Sequence, residues 1–156
     1  MKIIKGDIIT LAEQGNFDVI IQGCNCFHTQ ASGLAGQLVK KYPQVLEADR
    51  KTPYGDPNKL GTFSVAEVPG FTVMNVYTQF MFGLNEDMFE YDAFETFLNN
   101  WANNLRLVKT KNKLRIGIPM IGCGLAGGNS EVIVSMIEKF SQDVENYAIV
   151  ALVQLT

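Results

Sequence analysis

Two glycine-rich segments constrain this chain more than any other feature. The first is Gly23-Cys24-Asn25-Cys26-Phe27-His28-Thr29-Gln30-Ala31-Ser32-Gly33-Leu34-Ala35-Gly36, and the second is Ile121-Gly122-Cys123-Gly124-Leu125-Ala126-Gly127-Gly128. Each follows a short apolar run and leads into a segment with helical periodicity. Glycine lets bare backbone N–H groups approach a ligand closely. A helix N-terminus adds unpaired donors and a partial positive charge, which together favour phosphate. Two such cradles point to two phosphates, or to a diphosphate with sugar on either side. The plainer alternative is a pair of tight strand–helix connections with no ligand.

The second segment also satisfies G-x-G-x-x-G at Gly122, Gly124 and Gly127. A dinucleotide-binding unit needs that loop after its first strand, with an acid at the end of the next. Here the loop comes late, and Asp143 and Glu145 precede the last strand candidate rather than ending it. A nicotinamide site is therefore not expected, whereas phosphate binding requires no such topology.

Strand and helix signals alternate along the chain. Residues 2–5, 18–22, 62–68, 72–78, 114–118 and 147–153 read as strands, with Pro69-Gly70 turning the third into the fourth. Val19-Ile20-Ile21 is apolar throughout, as a buried strand requires. Thr10-Leu11-Ala12-Glu13 fits a capping box and predicts a short helix starting there. Leu34–Tyr42 reads as a helix stopped by Pro43. Phe94, Leu98, Trp101, Leu105 and Val108 alternate spacings of three and four, one face of a long helix beginning near Tyr91. Val132, Ile133, Met136, Ile137 and Phe140 make a second stripe. Arg50–Leu60, rich in Pro, Gly, Asp, Asn and Lys, reads as a surface loop. The expected fold is α/β: a three-layer α/β/α sandwich around a mixed, roughly six-stranded central sheet, with residues 1–156 forming one domain.

Bulk properties exclude several classes. No run of 18 apolar residues occurs, so no membrane span is expected, and the start Met1-Lys2-Ile3-Ile4 reads as a strand rather than a leader. A net charge of −3 supplies no field for non-specific nucleic-acid binding. Three cysteines make no disulfide framework, which fits a reducing, cytoplasmic setting. Cys24, Cys26 and His28 lack the fourth ligand of a structural zinc site, so no metal and no cofactor are expected.

A few side chains carry possible chemistry. His28, the one histidine, could act as general acid or base, or could simply bond loop backbone. Asp7 could accept from an exocyclic amine, or could cap a helix. Phe80, Met81, Phe82, Met88 and Phe89 flank Gly83-Leu84-Asn85 and could wall a base or sugar, or pack locally. Lys109, Lys111, Lys113 and Arg115 read as a solvated basic stretch.

Lys5-Gly6-Asp7-Ile8-Ile9, Gly23-Cys24-Asn25 with Ser32-Gly33-Leu34-Ala35, and Ile121–Gly127 occur in an order that resembles the macrodomain family over residues 2–153. Cys-Asn-Cys, the short glycine loop and Lys41-Tyr42-Pro43 are most similar to the ADP-ribose 1″-phosphate phosphatases and their phage-encoded relatives. The resemblance implies binding of ADP-ribose or ADP-ribose 1″-phosphate by a monomer, with ADP-ribosylated macromolecules as further candidate partners. It implies that Asp7 holds the adenine amine, with the Ile8 amide beside it. Asn25 would face the distal ribose, with Gly23 and Cys24 also among the substrate-binding residues. Ser32, Gly33, Leu34, Ala35, Gly36 and Gln37 would wrap the diphosphate and distal ribose, and Ile121, Gly122, Cys123, Gly124, Leu125, Ala126 and Gly127 would cradle the phosphates from the other side. The implied activity is hydrolysis of an ADP-ribose derivative, with Asn25 and His28 as catalytic candidates; the alternative is a non-catalytic ADP-ribose-binding module. One branch of macrodomain hydrolases uses a lysine and an aspartate covalently. Gln79 and Ala126 stand at the matching positions, and neither can act as a nucleophile or carboxylate.

Overall fold

A six-stranded sheet in the order β1-β6-β5-β2-β4-β3 organises the chain. Its strands are β1 (Lys2–Lys5), β2 (Val19–Cys24), β3 (Phe63–Val68), β4 (Phe71–Tyr77), β5 (Leu114–Pro119) and β6 (Ala148–Gln154). Five run parallel, and β3 pairs antiparallel with β4 through the Pro69-Gly70 hairpin. The computed structural model describes residues 1–82, 88–108, 111–124 and 126–155. The mixed sheet matches the sequence expectation strand for strand.

Among the described residues five α-helices cover the two faces: α1 (Ile8–Glu13), α2 (Gly33–Lys41), α3 (Gln44–Arg50), α4 (Tyr91–Leu107) and α5 (Ser130–Asp143). The period of two in a strand sends neighbouring side chains to opposite layers. Ile20 therefore packs with Ile8, Leu38 and Val45 beneath α1, α2 and α3. Ile21 packs with Phe94, Phe97, Trp101, Ile133 and Ile137 beneath α4 and α5. Trp101 stacks on Phe140 at 5.4 Å between centroids, locking α4 to α5. Each such fully buried side chain contributes about 1.5–3 kcal/mol relative to exposure, which makes the two apolar layers the main source of stability.

Three local expectations change. The first helix starts at Ile8, not Thr10, because the Asp7 carboxylate accepts from the Thr10 amide at 3.0 Å and caps it. Pro43 ends α2 as expected but also begins α3, a helix the short apolar spacing around Val45 did not reveal. The Arg50–Leu60 segment is not wholly a surface loop. It carries a 3₁₀ turn at Pro57–Lys59, and Lys59 is buried, its ammonium 4.5 Å from the Tyr77 ring centroid and donating to the Cys26 carbonyl.

Candidate functional site

The parallel strands β1, β6, β5, β2 and β4 all present their C-terminal ends on one side of the sheet. From β2 the chain leaves toward α2, α3 and β4; from the adjacent β5 it leaves toward α5 and β6. Connections departing in opposite directions from neighbouring strands open a crevice between them. A cleft of about 480 Å³ occupies this place, within the range of small-ligand sites. One wall is Cys24, Asn25 and Ala31–Ala35. The other is Ile121, Gly122, Gly124 and Ala126. The two glycine segments thus meet across a single cavity.

Backbone donors line it unequally. Ser32 stands at the N-cap of α2 but its hydroxyl makes no capping bond. Gly36 N–H closes the first intrahelical bond to the Ser32 carbonyl, so the amides of Gly33, Leu34 and Ala35 remain as first-turn donors at the cleft. No acidic side chain sits in that turn, and the helix partial charge is uncompensated there. The opposite helix differs. Asn129 Oδ1 accepts from Glu131 and Val132 at 3.0 and 3.3 Å, so α5 is capped by its own side chain and its terminus is not offered. The second wall instead uses its turn. Among the described residues, the amides of Gly122, Gly124 and Ala126 have no acceptor.

Glycine is needed at two of these places for different reasons. Gly122 lies at φ +73°, and a Cβ there would collide with the Phe89 ring. Gly36 lets the start of α2 sit on its own loop, since a Cβ would lie 2.9 Å from the Ala31 carbonyl oxygen. Gly124 has neither constraint, for a Cβ there meets nothing within 4 Å.

The remaining sequence candidates separate. Asn25 is buried on the cleft wall and organises its own loop: Oδ1 accepts from Phe27 N–H at 2.8 Å, and Nδ2 donates to the Thr29 carbonyl at 2.8 Å. Gly23, Gln79 and Phe82 also line the cleft. His28 does not. It takes φ 56°, and its Nε2 lies 2.9 Å from the Thr52 carbonyl, the backbone-bonded alternative. Asp7 and Ile8 follow β1, which is separated from β5 by β6, and neither lines the cleft. Asp7 Oδ1 is committed to the cap and Ile8 is buried. Gly36, Gln37, Cys123 and Gly127 do not line the cleft, with Cys123 N–H bonded to the Met120 carbonyl and Gly127 N–H to that of Gly124. Leu125, Gly83-Leu84-Asn85 and Lys109 lie outside the described residues. The aromatic loop divides: Phe82 walls the cleft, whereas Phe89 packs into the α4–α5 core.

The thiols are quiet. Burial pushes Cys24 well above the usual thiol range, and burial also raises Cys26 and Cys123. Among the described residues no cluster of three His, Cys, Asp or Glu side chains could hold a metal. Apart from Cys24, no described side chain lining the cleft is titratable.

Sequence reasoning missed the floor. Gln22 and Gln30, both buried, line the cleft and join a polar network with Asn75, Asp49 and Tyr77. A glutamine closing the apolar run Val19-Ile20-Ile21 was the available signal.

No family model matches the chain. It is 42% identical over 153 residues, 93% of its length and 92% of the relative's, to an uncharacterised 17.5 kDa protein from the tk–vs intergenic region of Enterobacteria phage T4. Among solved structures, a protein from Bacteroides thetaiotaomicron superposes with a TM-score of 0.76 at 25% identity, covering 100% of this chain and 99% of that one. The macrodomain of Mycobacterium tuberculosis DarG gives 0.71 at 16% identity, over 97% and 96% of the two chains. A Trypanosoma brucei macrodomain in complex with ADP-ribose gives 0.64 at 14%, over 98% and 62%. The chain belongs to the family of the T4 protein, and its fold is the macrodomain fold. The glycine-lined cleft of this chain sits on that fold.

Proposed function

We propose that the cleft binds ADP-ribose. The observation that carries this reading is the convergence of two sets of amides unpaired among the described residues, those of Gly33, Leu34 and Ala35 from the start of α2 and those of Gly122, Gly124 and Ala126 from the opposite turn, on one cavity. Paired peptide donors suit a diphosphate, whose oxygens accept and whose charge the α2 terminus favours. Asn25 lies where a ribose joined to that diphosphate would reach, and Phe82 offers an aromatic wall. Asp7, with Oδ2 outside its cap bond, is the proposed adenine acceptor at the far end of the same sheet edge. Support comes also from the ADP-ribose held by the trypanosome macrodomain. The chain serves as a binding module first, because the described cleft residues supply no strong general base.

A second reading is hydrolysis of ADP-ribose 1″-phosphate to ADP-ribose and phosphate. It is favoured by Asn25, whose amide is held rigidly beside the cleft by two loop bonds of 2.8 Å. Such a site would act by orienting water and phosphate rather than by acid–base chemistry, and turnover would be slow. His28, bonded to Thr52, takes a loop-holding role in this reading. Calorimetry with ADP-ribose tests binding: affinity weaker than about 1 mM, some 4 kcal/mol, rejects it. Phosphate release from ADP-ribose 1″-phosphate, abolished in Asn25→Ala, separates turnover from binding alone.

A further inference from the structure

The floor of the cleft carries a buried acceptor with no donor among the described residues. Gln22 is 2% exposed and lines the cavity. The orientation of its amide is dictated by its neighbours. Asp49, fully buried, accepts at Oδ2 from Gln30 Nε2 at 2.8 Å and at Oδ1 from the Tyr77 hydroxyl at 2.7 Å. Gln30 must therefore present Oε1 toward Gln22. Asn75 Nδ2 donates to the Val45 carbonyl and to Ser64 Oγ, so Asn75 also presents its oxygen toward Gln22. Gln22 Nε2 answers both, at 3.0 Å to Gln30 Oε1 and 2.8 Å to Asn75 Oδ1. Rotating the amide by a half-turn would set its oxygen against two acceptors. Its Oε1 consequently has no donor among the described residues. Among the described residues one other buried side-chain oxygen shares that condition, Thr78 Oγ1, but Thr78 does not line the cleft.

An unsatisfied acceptor in a low-dielectric floor is costly, and a ligand that donates there recovers the loss. We infer that Gln22 Oε1, enclosed until a ligand displaces the wall beside it, is a specificity determinant that accepts a hydrogen bond from a sugar hydroxyl of the bound nucleotide sugar. This rests on the ADP-ribose reading and deepens it. The diesterified diphosphate of a nucleotide sugar carries no O–H and only accepts, so Gln22 takes a sugar hydroxyl rather than a diphosphate oxygen. The amides of Gly33, Leu34, Ala35, Gly122, Gly124 and Ala126 have the opposite preference. The two preferences together set the direction in which the ligand lies: phosphates on the amide walls, the sugar over the glutamine. The Asp49–Gln30–Gln22 chain is the positioning device, since it holds the acceptor in one orientation before the ligand arrives.

The experiment compares ADP-ribose with ADP, which lacks the second sugar, by calorimetry on wild type and Gln22→Met. The expected result is a loss of about tenfold for ADP-ribose with ADP unchanged, the size of one net hydrogen bond. An equal loss for both ligands, or none for either, overturns the inference. Because Gln22→Met strands the oxygens of Gln30 and Asn75 and could impair folding, a second measurement uses the wild-type chain. The Gln22 side-chain ¹⁵N–¹H resonances should move on adding ADP-ribose and stay in place with ADP; no difference between the ligands overturns it. Wild-type protein that binds neither ligand defeats the ADP-ribose reading itself, and that failure is visible before any variant is made.

Discussion

Gly124 offers the cleanest perturbation of the cleft. A Cβ there meets nothing within 4 Å, and its φ lies outside the left-handed range, so a side chain costs the fold little. Gly122 and Gly36 cannot serve, because Phe89 and the Ala31 carbonyl occupy the space. Gly124→Glu places a negative charge beside the proposed diphosphate. At about 6 Å and an effective dielectric near 20, one unit-charge pair repels by about 3 kcal/mol, on the order of a hundredfold in affinity. Gly124→Gln adds nearly the same volume without the charge. The difference between the two variants therefore isolates electrostatics from occlusion. Calorimetry with ADP-ribose should show the Glu variant at least tenfold weaker than Gln, with the gap narrowing as salt is raised and charges are screened. Melting temperatures should stay at or slightly above wild type, since replacing glycine restricts the unfolded chain. Identical affinities for Glu, Gln and wild type would refute the reasoning, because no phosphate could then lie near this turn.

Other outcomes follow from the same geometry. His28→Asn tolerates the left-handed backbone and removes the imidazole; ADP-ribose affinity measured by calorimetry should change by less than about twofold, and a tenfold loss would place the ring at the ligand. Asp7→Asn keeps a capping oxygen but weakens the proposed adenine contact, so affinity should drop for ADP-ribose and not for ribose 5-phosphate; equal loss would reject the adenine role. Iodoacetamide at pH 8 should modify native Cys123 before the more buried Cys24 and Cys26, read by mass spectrometry; early labelling of Cys24 would contradict its burial. The hydrogen bonds from Arg115 hold Asp18 below the usual carboxylate range, at 2.9 Å from Nη2 to Oδ1. The small stability that this exposed pair adds is present above that range and is lost as pH falls through the depressed value. NMR titration of Arg115→Gln should show Asp18 moving upward, and an unchanged midpoint would exclude the guanidinium as the cause.

The fold was largely legible because its periodicities are strong. Val19-Ile20-Ile21 and Ala148–Val153 are continuous apolar runs, and the stripe from Phe94 to Trp101 fits one helix face. What escaped had weak local signals. α3 spans only Gln44–Arg50 and buries little beyond Val45 and Asp49, too few positions to show a period. Thr10 imitated a cap because capping chemistry is generic, and the competing Asp7 lay three residues earlier. The site was half legible. Glycine spacing marked both walls, since close backbone approach leaves a compositional trace. Capping of α5 by Asn129 did not show, although it removes one expected helix terminus from the site. The Gln22–Gln30–Asp49 floor is assembled across 27 residues of chain by tertiary contact, and no local pattern encodes it.

The central claim is that peptide amides, not charged side chains, grip a nucleotide sugar between β2 and β5. A crystal structure of the protein soaked with ADP-ribose tests it directly. Diphosphate oxygens should lie about 3 Å from the amide nitrogens of Gly33–Ala35 on one side and of the Gly122–Ala126 turn on the other. Diphosphate held by lysine or arginine side chains, or lying outside this cleft, would contradict the account.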